Sequence, residues 1–196
     1  MKKKTVKVLD IILTVGIVLC LGLAGVFLYR NVCYDEILVS GNSMETTLHN
    51  GDFGLMKTTK SAINNIKRFD IVIVEVDNDT SNKHDIIKRV IGLPGEKIKI
   101  EENGDILING SVIEEPFLTA NKSSTYKPNS YACLNEYEIP NDAFFCLGDN
   151  RGASADSRSR GALSKDNVLG VLKVIYKEKC SEDDSNTCST IKPKWF

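Results

Sequence analysis

Lys97-Ile98-Lys99-Ile100, then Asn103-Gly104, Asp105-Ile106-Leu107-Ile108, Asn109-Gly110 and Ser111-Val112-Ile113 form the stretch that decides the fold class. Two short apolar runs each end in an Asn-Gly pair, the dipeptide that most readily supplies positive φ at the centre of a tight hairpin turn. Residues 97–113 therefore predict a β-meander. Outward from it the same grammar continues. Phe69-Asp70-Ile71-Val72-Ile73-Val74 and Asp85 to Ile91 are compact β-branched runs, and Val168 to Tyr176 reads as a last strand with Gly170 near its start. Residues 118–138 are polar and turn-rich, an extended loop or weak strands, and Cys180 to Phe196 reads as a loose polar tail. The class is mainly β, built on antiparallel sheet.

The N-terminus is different. Ile11 to Tyr29 are 19 residues without a charge. At about 1.5 Å per residue such a helix spans roughly 28 Å, close to the hydrocarbon thickness of a bilayer. Lys2, Lys3, Lys4 and Lys7 precede it, with Asp10 the only acid, so the positive-inside tendency leaves the N-terminus in the cytoplasm and exports the remainder. A cleaved signal peptide is the rival reading, because Gly22-Leu23-Ala24 offers a small-x-small site. The run continues through Val26, Phe27 and Leu28, longer than a usual signal-peptide core, and favours one uncleaved transmembrane helix.

Across 196 residues, 25 basic side chains oppose 26 acidic ones. Residues 1–30 hold five basic groups and one acid, so the other 166 residues carry a net charge of −5. A mildly acidic exported part with no basic stripe excludes nucleic acid as the main partner. Six cysteines are too few for a disulfide scaffold.

Three stretches carry candidate chemistry. Ser40-Gly41-Asn42-Ser43-Met44 follows the apolar Ile37-Leu38-Val39. A serine at such a strand end can present its hydroxyl beside a free backbone N–H, as a nucleophile and an oxyanion donor require; it also suits an ordinary turn. In Asp85 to Glu96, Lys88 shares a strand face with Ile86 and Val90. Burial there disfavours the ammonium and would make the amine a base; a solvated Lys-Arg pair at a strand edge is the alternative. Gly148-Asp149-Asn150-Arg151-Gly152-Ala153-Ser154-Ala155-Asp156-Ser157-Arg158 crowds turn formers with opposite charges. It is either a surface turn or a scaffold offering carboxylates to Arg89 and a hydroxyl to Lys88.

Together the three resemble, in order and spacing, the motif set of the bacterial type I signal peptidases, membrane-anchored serine-lysine proteases. The matches are Ser-Gly-Asn-Ser-Met-x-x-Thr-Leu at 40–48, Gly51-Asp52, Lys-Arg-Val-Ile-Gly-Leu-Pro-Gly at 88–95 and Gly-Asp-Asn-Arg-x-x-Ser-x-Asp-Ser-Arg at 148–158. The resemblance implies Ser43 as nucleophile, neutral Lys88 as general base and Ser154 as the hydroxyl that orients the Lys88 amine. It implies an oxyanion hole that includes the Ser43 N–H. Gly41 stands where some members carry a serine hydroxyl, so the chain resembles the Gram-positive form. Asp149, Asp156, Arg89 and Arg158 look like structural charges, and Met44 like part of the pocket floor. The substrate would add as an extended strand near Ile37, Leu38 and Val39, with small residues at the first and third positions before the scissile bond. The implied partners are membrane-bound preproteins with Ala-x-Ala-like sites and the lipid bilayer; no cofactor is needed.

One departure is Thr46, where the family usually has proline. Proline fixes φ, so a less rigid turn after the nucleophile is expected, without loss of any reacting atom. His84 could in principle replace lysine as base, but it lies four residues before Lys88. Two histidines, dispersed acids and no Cys-x-x-Cys give no metal site. Cys146 sits in an apolar strand as a buried thiol, and Cys180 and Cys188 could pair outside the cell.

The expected organisation is a cytoplasmic tail (1–10), a transmembrane helix (11–29), a catalytic core (36–96 and 143–178), an inserted β subdomain (97–142) and a C-terminal tail (179–196). The expected activity is removal of signal peptides from exported preproteins at the cell membrane. Two alternatives are a non-proteolytic membrane-anchored assembly factor and a protease dedicated to a narrow substrate such as a pilin or sporulation protein.

Overall fold

The computed structural model describes residues 2–78, 82–118, 122–127, 130–132, 135–177 and 192–196. In chain order it contains α1 (Lys2–Cys33), β1 (Tyr34–Leu38), β2 (Phe53–Lys57), α2 (Lys60–Asn64), β3 (Ile71–Asn78), β4 (Asn82–Gly92), β5 (Lys97–Ile100), β6 (Ile106–Ile108), β7 (Ser111–Val112), β8 (Tyr137–Glu138), β9 (Ala143–Leu147), α3 (Ser157–Arg160), β10 (Leu163–Ser164), β11 (Val168–Lys177) and β12 (Lys192–Trp195). Contacts divide the chain into two units, Met1–Asp35 and Glu36–Phe196.

The first unit is essentially α1. The helix outlasts the uncharged run and contains Ile12–Cys33, a segment long and apolar enough to cross a membrane. Its side chains from Ile12 to Val32 are all exposed. An apolar surface all round a helix suits lipid rather than water.

The second unit holds two antiparallel sheets. The larger runs β1-β2-β11-β3-β4-β9-β10, with β12 also paired to β11. The smaller runs β7-β6-β5-β8, and its meander forms at the two Asn-Gly turns: Gly104, Asn109 and Gly110 all take positive φ (89°, 50° and 80°). Ile98 faces Ile108 and Leu107 faces Val112 across it.

The β-branched density of β3 follows from burial on both faces. Val72, Val74 and Val76 pack with Val90, Phe144 and Cys146, while Ile71 and Ile73 pack with Val39, Met44, Leu48 and Leu172. β9 divides likewise, with Phe145 and Leu147 turned to the small sheet's Ile98, Ile100, Ile106 and Ile108. Each such aliphatic or aromatic side chain contributes about 1.5–3 kcal/mol on full burial.

Two elements differ from the sequence reading. Lys192–Trp195, expected as loose tail, form an edge strand on β11, with Trp195 opposite Val174. β11 has room for it because β3 pairs only with Val168–Val171. Within 118–138 the described residues give one 3-10 turn at Lys122–Thr125 and the two-residue β8. Cys180 and Cys188 lie outside the described residues. Cys146 is fully buried and unpaired, and burial pushes its thiol pKa up, the Asp156 charge adding to the effect.

Candidate active site

β4 pairs with β3 from Asn82 to Arg89, but with β9 only from Arg89 to Gly92. The second edge of β4 over residues 84–88 is thus free of any strand partner among the described residues. The large sheet curls until residues 36–41, at and after its edge strand β1, face that open edge. Between them lies a groove of about 580 Å³, walled by residues 36–41 and 84–88 and floored by Met44, Met56 and Ile73. Ile37, Leu38 and Val39 all line it, and Met44 is buried beneath it. His84 sits in the groove wall four residues before Lys88.

Ser43 and Lys88 meet at the groove's end, the Lys88 Nζ lying 2.9 Å from Ser43 Oγ and donating to the Ile87 carbonyl at 2.9 Å. Lys88 is 3% exposed. Its pKa is lowered chiefly by that burial; the Asp156 carboxylate opposes the shift and the Arg160 guanidinium adds to it. A buried amine beside a hydroxyl, with its proton weakly held, is a base poised to take the hydroxyl proton.

The loop at 148–158 holds this pair from the far side of the chain. Asp149 is buried and accepts from Arg89 Nε (2.8 Å), Arg89 Nη2 (2.5 Å) and Thr47 Oγ1 (2.6 Å). Arg89 also donates to the Phe69 carbonyl and lies over the Phe117 ring at 4.0 Å. Asp156 caps α3 by accepting from the Arg158 N–H (3.2 Å), and also accepts two bonds from the Arg158 guanidinium (2.8 and 2.7 Å) and one from the Gly148 N–H (3.1 Å). Burial alone would raise the Asp156 pKa, yet the Arg158 guanidinium and the Gly148 N–H hold it below the usual carboxylate range. The four charges expected as structural are therefore brought together as two buried pairs.

Ser154 differs from expectation in its partner. Its hydroxyl is buried beside Asp156, and among the described residues no bond from it to Lys88 is formed; the amine's partners are Ser43 and the Ile87 carbonyl.

The structure adds residues that the sequence reading left without roles. Asn150 reaches the Ser43 turn: its N–H donates to the Ser43 carbonyl and its Nδ2 to the Asn42 carbonyl, both at 3.0 Å. Arg151 is buried and binds Glu115, Thr125 Oγ1 (3.0 Å) and the Gly148 carbonyl (3.1 Å). The one signal for Arg151 was its place inside an unusually charged turn. Glu115 and Thr125 lie in polar stretches that give no sign of burial.

Gly148 is where the loop touches the Ser43 turn: a Cβ there would collide with the Ser43 carbonyl oxygen and Ser154 Oγ. If Ser43 is the reacting group, Gly148→Ala is expected to lower turnover on the order of 10²-fold, the effect of displacing such a group by about 1 Å. Gly152→Ala, in the same loop with open space around it, is expected to retain activity. Equal rates for the two variants in a steady-state assay would contradict this packing.

Comparison with known proteins gives one consistent answer. The family model described as signal peptidase, peptidase S26, matches residues 8–177. A signal peptidase I of Bacillus amyloliquefaciens is 34% identical over 153 residues, 76% of this chain and 79% of its own. Signal peptidase I T of Bacillus subtilis strain 168 is 34% identical over 152 residues, 76% and 77% of the two chains. Signal peptidase I P of Bacillus subtilis subsp. natto is 32% identical over 178 residues, 89% and 94%. Among solved structures, a signal peptidase I from Enterococcus faecalis V583 shares 31% identity and covers 55% of this chain and 96% of its own, with a TM-score of 0.42.

Proposed function

Because the chain belongs to the signal peptidase family, peptidase S26, we propose that it is a membrane-anchored serine endopeptidase that removes signal peptides through Ser43 and Lys88. The observation that carries this reading is the 2.9 Å approach of the buried Lys88 amine to Ser43 Oγ. α1 is the anchor, with the N-terminus cytoplasmic and the catalytic unit outside. The preprotein presents an extended segment, which enters the groove between residues 36–41 and 84–88 and pairs with both walls through main-chain hydrogen bonds. Small side chains before the scissile bond fit the shallow apolar floor over Met44 and Ile73, so Ala-x-Ala sites suit it.

Neutral Lys88 takes the Ser43 proton as Oγ attacks the carbonyl carbon. The oxyanion is met by the Ser43 N–H, the C–N bond breaks, and the departing amine carries off the proton from Lys88. An acyl-enzyme on Ser43 remains. Water, deprotonated by the same amine, releases the mature protein's leader as a carboxylate. Anchoring raises the effective concentration of membrane-bound substrate.

The test uses the full chain in detergent with a preprotein carrying an Ala-x-Ala site, quenched with acid in the first turnovers and analysed by mass spectrometry. Cleavage after the second alanine, with the acyl group on the peptide containing Ser43, is expected. No cleavage would favour the assembly-factor reading, and an acyl group elsewhere would remove Ser43 as nucleophile.

A further inference from the structure

The geometry points to Asn150 as a positioning residue that aims the oxyanion donor: its side-chain amide holds the Asn42 carbonyl, and so fixes the direction of the Ser43 N–H. The inference rests on the reading of Ser43 as nucleophile and extends it to a residue outside the dyad.

One peptide plane sets the direction of this donor. The Asn42–Ser43 bond is trans, since the only cis bond among the described residues is Glu45–Thr46. In a trans peptide the carbonyl oxygen and the N–H of the next residue point in opposite directions within one rigid plane. Whatever grips the Asn42 oxygen therefore sets where the Ser43 hydrogen points. That oxygen accepts from Asn150 Nδ2 at 3.0 Å and from the Glu45 N–H at 3.2 Å. The Glu45 bond belongs to the turn itself and moves with it. The Asn150 bond comes from a loop 108 positions away, and that loop is braced by the buried Asp149–Arg89 pair. Asn150 is thus the external reference against which the plane is set.

A second grip completes the clamp. The Asn150 N–H donates to the Ser43 carbonyl at 3.0 Å, so the planes on both sides of the nucleophile are held by one residue. The Ser43 N–H itself donates to no protein group among the described residues. It is an unengaged donor on the same residue as the attacking Oγ, turned away from the Asn150 amide.

This chain depends on that donor. Gly41 has no side chain to supply a hydroxyl to the oxyanion, and it takes positive φ (91°), its N–H bound to Asn50 Oδ1 at 2.9 Å. With no hydroxyl from position 41, the backbone donor must be correctly aimed before substrate arrives, because fixed dipoles stabilise a developing charge only if they need no reorientation.

The experiment compares full-length wild type and Asn150→Ala in detergent, on the preprotein substrate and on a substrate-like peptide aldehyde, which forms a tetrahedral adduct with the serine. Removing an oxyanion donor outright costs about 10²–10³-fold in kcat, and misaiming one costs less. Asn150→Ala is therefore expected to lower kcat about 10–100-fold, to leave KM within about twofold and to weaken the aldehyde by the same factor as kcat. The midpoint of the pH–rate profile should stay in place, because Asn150 carries no charge and does not touch Lys88. Asn150→Asp keeps the shape but sets a carboxylate against the carbonyl. It should lose at least as much, and it decides the matter if the alanine variant does not fold.

An unchanged kcat, a loss confined to KM, or aldehyde affinity that holds while kcat falls would each overturn the assignment. Failure of wild type to cleave, or acylation away from Ser43, would instead overturn the functional reading on which it rests.

Discussion

Lys88→Met should lower kcat/KM for preprotein cleavage by about 10²–10⁴-fold, the usual contribution of a positioned base, with substrate affinity little changed. Methionine matches the buried stem of Lys88 and removes only the amine, so the loss measures proton transfer and not packing. Lys88→Arg should be as inactive, since a guanidinium stays protonated and can accept nothing. The sharper signature is acidic. Burial lowers the Lys88 pKa, and in the proposed mechanism only the neutral amine accepts the Ser43 proton. The rate should therefore hold above that lowered pKa and fall about tenfold per pH unit below it. A rate that stays flat from alkaline to mildly acidic pH, or a Lys88→Met enzyme with near wild-type turnover, would remove Lys88 as the base. Stability carries a linked sign. Between the lowered folded pKa and the ordinary lysine pKa of the unfolded chain, the unfolded state binds more protons. Folding stability should accordingly rise with pH across that window in wild type and not in Lys88→Met.

The second large effect is on stability. Asp156 and Arg158 are 0% and 1% exposed, and the guanidinium spends two of its donors on one carboxylate. Asp156→Ala leaves that cation buried without its anion, which typically costs about 3–5 kcal/mol. For a domain of this size the unfolding midpoint should fall by about 6–20 °C, measured by thermal unfolding of the full chain in detergent. Asp156→Asn retains one acceptor and should fall between the two. The Asp156 pKa is lowered in the fold, so its contribution is present above the unfolded carboxylate pKa and is lost as pH falls through the folded one. The same carboxylate is the largest influence holding the Lys88 pKa up against burial. Residual activity of Asp156→Asn should therefore show its acid limb displaced to lower pH. A midpoint within a degree of wild type would mean that the pair is not the brace described here.

How much of this was legible beforehand depends on whether the signal is local. The Asn-Gly turns dictate their own φ angles, so the meander was readable from residues 97–113. β3 was readable because a strand buried on both faces needs a β-branched run, and β4 and β11 because β-branched residues recur along them. Ser43 and Lys88 were singled out from motif spacing, and the fold brings them within 2.9 Å of each other; their proposed roles rest on that contact. Relations set by distant chain were not readable. Asn150 looks like any turn residue until the fold carries it to the Asn42 carbonyl. Arg151 needs Glu115 and Thr125, which only the fold brings together. Lys192–Trp195 read as tail because Lys, Pro and Lys hide the apolar pattern, and the vacancy beside β11 exists only after β3 has diverged. Ser154 shows the reverse case: the resemblance implies a hydroxyl bonded to Lys88, and the side-chain positions show no such bond.

The open edge of β4 has a consequence for timing. An unpaired strand edge ordinarily invites any other sheet to dock, but this one is faced by residues 36–41 across a slot. What enters must be a single stripped-out strand, for a hairpin or helix carries its own partners and is too thick. On the proposed reading, admission is decided by the conformation of the visitor before its sequence is read at all. Processing would then belong to the interval before the exported chain wraps its own N-terminal junction into structure, and a preprotein that folds early up to that junction would be spared whatever residues it carries there.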